Sequence, residues 1–158
     1  MKNLMLTTLA ALALATPAVA ANPFTGVRAE VTAGLDDVTG GFDTTAVSYG
    51  VGVGADAEVY PRVIVGLAAN LDNVFDRRQV AANARLGYVV TDRVMVYGTA
   101  GYANWRQLAS TELEGFRLGA GVEARVVGPF YAKAEYRYSN FQDGVGQHGA
   151  IVGAGLRF

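Results

Sequence analysis

The chain contains no cysteine, only four prolines and a single histidine among its 158 residues. Without cysteine there is no disulfide framework, no thiolate zinc site and no thiol nucleophile. One histidine leaves little room for a His-rich metal centre, so neither a metal nor a cofactor is expected. Charge is scarce as well: 17% of residues are charged, against about 25% in ordinary soluble domains. A hydrophobic content of 51% beside so little charge argues against disorder. The 13 basic and 14 acidic residues nearly cancel, which leaves no electrostatic footprint for nucleic acid. Long apolar runs are also missing after residue 21. Charged or polar residues interrupt every apolar stretch there, which excludes a helix of about 20 apolar residues crossing a membrane.

The one short apolar run lies at the start. Lys2 supplies a positive n-region, Leu4 to Ala15 an apolar h-region, and Ala18-Val19-Ala20 an A-x-A site. Residues 1–20 therefore read as a signal peptide, cut before Ala21 or, as second choice, after it. Residues 21–158 make one domain.

What is plentiful is glycine, with 20 residues, and strict alternation. Eight segments alternate apolar with polar or small residues: Val27–Leu35, Val47–Val59, Val63–Asp72, Gln79–Tyr88, Val94–Tyr102, Phe116–Arg125, Phe130–Tyr138 and Gly149–Phe158. Period two means strand, with one row of side chains on each face. Tyr60-Pro61-Arg62, Val90-Thr91-Asp92 and Val127-Gly128-Pro129 read as tight turns. Four longer connections, around 36–45, 72–78, 103–115 and 139–147, read as loops. Short turns at one end and longer loops at the other predict an all-β, eight-stranded antiparallel up-and-down transmembrane β-barrel. An even strand count puts both termini at the short-turn end, the periplasmic side.

Three features decide which row faces in. First, the apolar rows carry no Asp, Glu, Lys or Arg. The opposite rows hold seven basic residues (Arg28, Arg85, Arg117, Arg125, Lys133, Arg137, Arg157) and six acidic ones (Glu30, Asp56, Glu58, Asp72, Glu123, Glu135). A basic residue on the lipid face at the bilayer midplane costs about 2–4 kcal/mol, so the charged rows face a narrow lumen. Second, Tyr49, Tyr102, Phe116, Tyr136 and Tyr138 lie near one end of the apolar rows, and Tyr88, Phe130 and Phe158 near the other. Two aromatic belts match interfacial girdles. Third, glycines such as Gly52, Gly121 and Gly155 interleave with the inward charges, and eight strands leave an interior barely wide enough for side chains. Arg28, Glu30, Asp56, Glu58, Arg85, Glu123, Arg125, Lys133, Glu135 and Arg137 are the expected ion-paired interior network.

Gly119-Ala120-Gly121-Val122-Glu123, then Tyr131-Ala132-Lys133-Ala134-Glu135-Tyr136-Arg137-Tyr138, then Val152-Gly153-Ala154-Gly155-Leu156-Arg157-Phe158 carry a family likeness. With them the mature chain resembles the small eight-stranded outer-membrane β-barrels of the OmpA transmembrane-domain, OmpX and opacity-protein type. The resemblance implies a monomer in the cell outer membrane, among outer-membrane lipid and lipopolysaccharide. It also implies that Phe158 is the signal read by the outer-membrane assembly machinery. The chain stops at Phe158, so the peptidoglycan-binding domain of full-length OmpA-type proteins, and wall tethering with it, is not carried over.

Catalytic chemistry is sought and not found. Barrel deacylases of lipid A use a His with a Ser two residues on; here His148 is followed at that spacing by Ala150. Gly50, Gly52 and Gly54 lie within a strand rather than opening a helix, so they are no nucleotide loop. Asp36, Asp37 and Asp43 flank Gly40-Gly41 without EF-hand spacing and read as solvated loop carboxylates. Phe42, Phe75, Trp105 and Phe141 place one large aromatic in each longer connection. The expected function is non-enzymatic: envelope structure or surface interaction around a polar, ion-paired interior. A narrow porin-like channel for small solutes or ions is the alternative, and a lipid A-modifying enzyme comes third.

Overall fold

A computed structural model of the protein describes residues 22–39, 44–74, 77–106, 112–141 and 146–158. The expected signal peptide, with both cleavage positions, and the loop residues Phe42, Asp43 and Phe75 lie outside the described residues. The alternating segments become eight strands: β1 (Gly26–Thr39), β2 (Thr44–Tyr60), β3 (Val63–Val74), β4 (Arg77–Thr91), β5 (Val94–Arg106), β6 (Glu112–Val127), β7 (Phe130–Phe141) and β8 (Gly146–Arg157). They pair antiparallel in chain order, and β1 pairs β8, so the sheet closes into a barrel. Closure leaves no unpaired strand edge, which is the condition for a sheet to stand in lipid.

Register keeps each row on its own face. Val31 pairs Val51 on β2 and Ala154 on β8, all on the outward row, while Glu30 pairs Gly52 and Gly155 on the inward row. The outward row stays largely exposed: Val31, Val53, Leu67, Leu86 and Val152 each keep close to 60% of their surface. Meanwhile Arg28, Glu30, Asp56, Arg85 and Glu123 are buried. A water-soluble fold reverses that distribution; a lipid-facing barrel requires it.

The strands run further than the alternation predicts. Asp36, Asp37 and Val38 continue the ladder against Ala46, Thr45 and Thr44, and Asn104 and Trp105 pair Glu114 and Leu113. Residues 40–43, 75–76, 107–111 and 142–145, between these strands, lie outside the described residues. The apolar period stops at the aromatic belt because the two faces exchange polarity there: Asp37, Thr39 and Thr45 stand on the outward row while Val38, Val74 and Phe141 point inward. The backbone groups still need partners and continue to pair. At the opposite end, which carries both termini and is called the terminal end below, register shifts fall between Glu58 and Tyr60, Val89 and Thr91, and Arg125 and Val127. These bulges sit next to the tight turns and re-aim the last side chains of each strand.

Candidate functional site

The barrel interior is where chemistry-bearing side chains collect. Period two points every second residue inward, and a narrow lumen brings rows from opposite walls together. Near the terminal end, Asp56 Oδ2 accepts hydrogen bonds from Arg28 Nε at 3.0 Å, Arg85 Nη1 at 3.4 Å and Arg157 Nη1 at 2.7 Å. Glu123 accepts from the other arms, Arg85 Nη2 at 2.6 Å and Arg157 Nη2 at 2.7 Å. Asp56, Arg85, Glu123 and Arg157 thus form a closed ring of alternating charge. Arg28 Nη1 carries the chain of pairs on to Glu30 at 2.8 Å, and Lys133 Nζ meets Glu30 at 2.5 Å and Glu135 at 3.5 Å. Arg137 then bridges Glu135 at 2.6 Å to Asp72 at 3.3 Å, and Arg117 meets Asp72 at 3.0 Å.

One column of ion pairs therefore runs along the barrel. Its bonds cross the lumen: Glu123 sits beside Lys133 in the β6–β7 register, yet pairs with arginines of β4 and β8. Desolvated charges are tolerated only when paired and hydrogen-bonded in this way. Arg117 Nη2 next donates to Gln79 Oε1 at 2.5 Å, Gln79 Nε2 to Gln147 Oε1 at 3.5 Å, and Gln147 Nε2 to Asp36 Oδ1 at 2.7 Å. Asp36 is only 4% exposed. This corrects the loop-carboxylate reading: β1 extends past residue 35, and the even-numbered row carries Asp36 inward.

Two tyrosines tie the column to the wall. Tyr97 Oη donates to Glu135 and Tyr131 Oη to Glu30, each at 2.8 Å. Each ring lies over a cross-strand glycine, Tyr97 over Gly121 and Tyr131 over Gly155. The Arg85 guanidinium stacks on Tyr97 at 3.8 Å from the ring centroid. Beneath Tyr97, Phe24, Ile64, Val89 and Met95 form a buried apolar layer at the terminal end. At the distal end the inward residues Val38, Val74, Ala103 and Phe141 are likewise buried and apolar. What space remains is small. One cavity of about 20 Å³ borders Arg85 and Asn83, and another of about 10 Å³ borders Arg117 and Gln79. Arg85 Nε and Asn83 Oδ1 are buried without a protein partner; a donor and an acceptor at one small cavity are what a single water bridges.

Of the ten residues expected in the network, Arg28, Glu30, Asp56, Arg85, Glu123, Lys133, Glu135 and Arg137 lie inside it. Glu58 and Arg125 do not; both are exposed. They have inward parity but sit at the terminal rim beside bulges, beyond the column. Glu58 instead accepts from Asn22 Nδ2 and the Arg62 backbone N–H, each at 2.8 Å. Asp72, Arg117 and Arg157 join, and their inward parity marks them in the sequence. Gln79, Gln147, Tyr97 and Tyr131 carry the same inward parity but no charge to single them out. Phe24 precedes the first strand and belongs to no alternating row. Phe141, expected in a loop, ends β7 and is buried.

His148 lies outside the barrel. Its Nδ1 shares a hydrogen bond of 2.5 Å with Tyr136 Oη, and its ring stands 4.9 Å from that of Tyr138. Among the described residues no cluster of three or more His, Cys, Asp or Glu is placed to hold a metal ion. Phe158 is exposed, and its backbone N–H donates to Val27 O at 2.8 Å, closing the last strand on the first.

A family model described as outer membrane protein beta-barrel domain matches residues 6–158. Among solved structures, the chain is similar to Ail, the attachment invasion locus protein of Yersinia pestis. The two share 17% identity over 84% of this chain and 97% of Ail, with a TM-score of 0.61. Neisserial surface protein A matches at 15% identity over 84% of this chain and 97% of its own, with a TM-score of 0.59. The outer membrane enzyme PagL matches at 11% identity over 82% and 99%, with a TM-score of 0.56. Such identities establish a shared fold. No curated protein matches the chain significantly.

Proposed function

The chain belongs to the outer membrane protein beta-barrel domain family, and from that premise we propose that it is a closed, non-enzymatic structural element of the outer membrane. One observation carries this reading: the lumen is filled by a self-neutralising column of charges. Six basic side chains (Arg28, Arg85, Arg117, Lys133, Arg137, Arg157) face six acidic ones (Glu30, Asp36, Asp56, Asp72, Glu123, Glu135). The cavities that border it, at Arg117 and Gln79 and at Arg85 and Asn83, hold only about 10 and 20 Å³. The outward rows take up outer-membrane lipid and lipopolysaccharide, and the aromatic belts settle at the two interfaces. The barrel works as a monomer with both termini in the periplasm, once residues 1–20 are removed. Phe158 directs its assembly. On the enzymatic side, His148 has a phenol as its partner and Ala150 where a nucleophile would stand.

Planar-bilayer recording of refolded protein tests the reading. Wild type should show no steady conductance. A stable ohmic step from wild type would overturn it in favour of the narrow channel.

A further inference from the structure

We propose that residues 22–25 are a seated stopper that closes the terminal mouth of the barrel, with Phe24 as the plugging side chain. The inference rests on the closed-barrel reading and assigns how one end is shut. A residue ahead of the first strand would ordinarily trail into solvent. Phe24 instead has no exposed surface and packs with Ile64, Val89, Met95 and Tyr97, which come from the terminal ends of β3, β4 and β5.

The backbone around it is built for this entry. Gly26 takes a φ of +109°, and a Cβ there would collide with the Phe158 carbonyl. Only glycine tolerates both the conformation and the approach. The turn it makes swings the preceding residues off the line of β1 and into the mouth. Once there, they are tied on several sides. The Phe24 carbonyl accepts from Arg157 Nη1 at 2.7 Å, the same guanidinium group that meets Asp56 and Glu123. The Phe24 N–H donates to Asn22 Oδ1 at 3.1 Å, and Asn22 Nδ2 donates to Glu58 on β2 at 2.8 Å. Thr25 folds back on the Asn22 carbonyl through both its N–H, at 2.9 Å, and its hydroxyl, at 2.7 Å. The segment is a small folded cap whose apolar side chain points in and whose polar groups bind the rim. This also gives Glu58 a place: it anchors the cap rather than joining the column. Tyr97 is the contact between the two layers, its ring in the apolar cluster and its hydroxyl on Glu135. A stopper that leaves would therefore open the first charges of the column to water.

Met95 reports on the cap directly. It is fully buried in the layer that Phe24 completes, and the other two methionines, Met1 and Met5, lie in the expected signal peptide. Hydrogen peroxide converts an accessible methionine to its sulfoxide, the peroxide being reduced to water. The experiment treats folded protein in lipid vesicles with peroxide beside a methionine-containing reporter peptide. Mass spectrometry then follows the peptide carrying Met95, and heat-dependent gel mobility confirms that each variant is folded. In wild type, Met95 should react at least tenfold more slowly than the reporter. Phe24→Ala should remove most of that protection, and Phe24→Leu should keep it. Asn22→Ala, which loosens the cap without touching the layer, serves if Phe24→Ala does not fold, and should raise the rate several-fold. Oxidation of wild-type Met95 at the reporter rate overturns the stopper, as does a folded Phe24→Ala or Asn22→Ala barrel that reacts no faster than wild type. Steady conductance from a wild type whose Met95 is protected would instead sink the closed-barrel reading and leave the seated cap standing.

Discussion

A carboxylate at a junction of the column carries more than one pair. Glu123 is fully buried and accepts from both Arg85 and Arg157. Glu123→Ala leaves two buried guanidinium arms without their acceptor. Breaking a buried pair by removing one partner costs about 3–5 kcal/mol, so refolded Glu123→Ala should unfold in distinctly less urea than wild type. Asp36→Ala should also lower the midpoint, by a smaller step, because Asp36 is buried on Gln147. Asp37→Ala, one residue on and exposed on the outward face, should hardly move it. Equal midpoints for the Asp36 and Asp37 variants would refute the inward placement of Asp36. Volume is controlled as tightly as charge. A Cβ on Gly121 would come within 2.7 Å of the Tyr97 ring, which is held by Arg85 stacking and by its bond to Glu135. Overpacking of this kind costs about 1–3 kcal/mol. Gly121→Ala should lose that much in urea titration, and Gly121→Ala with Tyr97→Phe should lose no less, since the Ala134 carbonyl at 2.6 Å and the ring carbon at 2.7 Å both remain.

Strands were the legible elements because the lumen and the lipid impose opposite polarities on alternating residues. Charge alone sorted Glu30, Arg85, Glu123 and Glu135 onto the inner wall. Parity could not see where the wall ends: Glu58 and Arg125 have the right phase, but bulges beside the tight turns leave them at the rim. Nor could alternation follow β1 to Asp36, because the consecutive acids Asp36 and Asp37 break the period while the backbone still pairs. The cap was invisible for another reason. Phe24 belongs to no period, and its role comes from a turn at Gly26 that only tertiary structure reveals. Partners across the lumen depend on register, which no single strand encodes. At this scale β8 carries its own prediction. Phe158 closes β8 on β1 through backbone bonds with Val27, while its ring is exposed on the outward row. Phe158→Ala keeps those backbone bonds and removes only the ring. If the ring is what the assembly machinery reads, this variant should accumulate as periplasmic precursor in cells yet refold in vitro with near wild-type stability. Normal amounts in the outer membrane at low expression would show that the ring is not the signal.

For the whole molecule, the layout inverts that of a soluble domain: lipid surrounds an apolar exterior, and ionic chemistry forms the core. Among the described residues, hydrophobic burial inside the barrel gathers at its ends, where Phe24 and Met95 sit at one mouth and Val38, Val74 and Phe141 near the other. Between them the column is neutral as a unit, and on the closed-barrel reading it is shielded from solvent ions. That arrangement makes a prediction about salt. The Debye length falls from about 10 Å at about 0.1 M to about 3 Å at about 1 M, and this weakens exposed pairs while buried pairs are screened much less. If the column is sealed, the urea midpoint of the wild-type barrel in neutral lipid vesicles should change little with sodium chloride over that range. A Phe24→Ala barrel, with its terminal mouth open to water, should become salt-sensitive as ions reach Arg157, Asp56 and Glu123, which lie just behind the cap. A wild type whose midpoint falls steeply with salt would mean that ions already reach the column. Its charges would then line a water path, and the channel reading would take the place of the closed barrel.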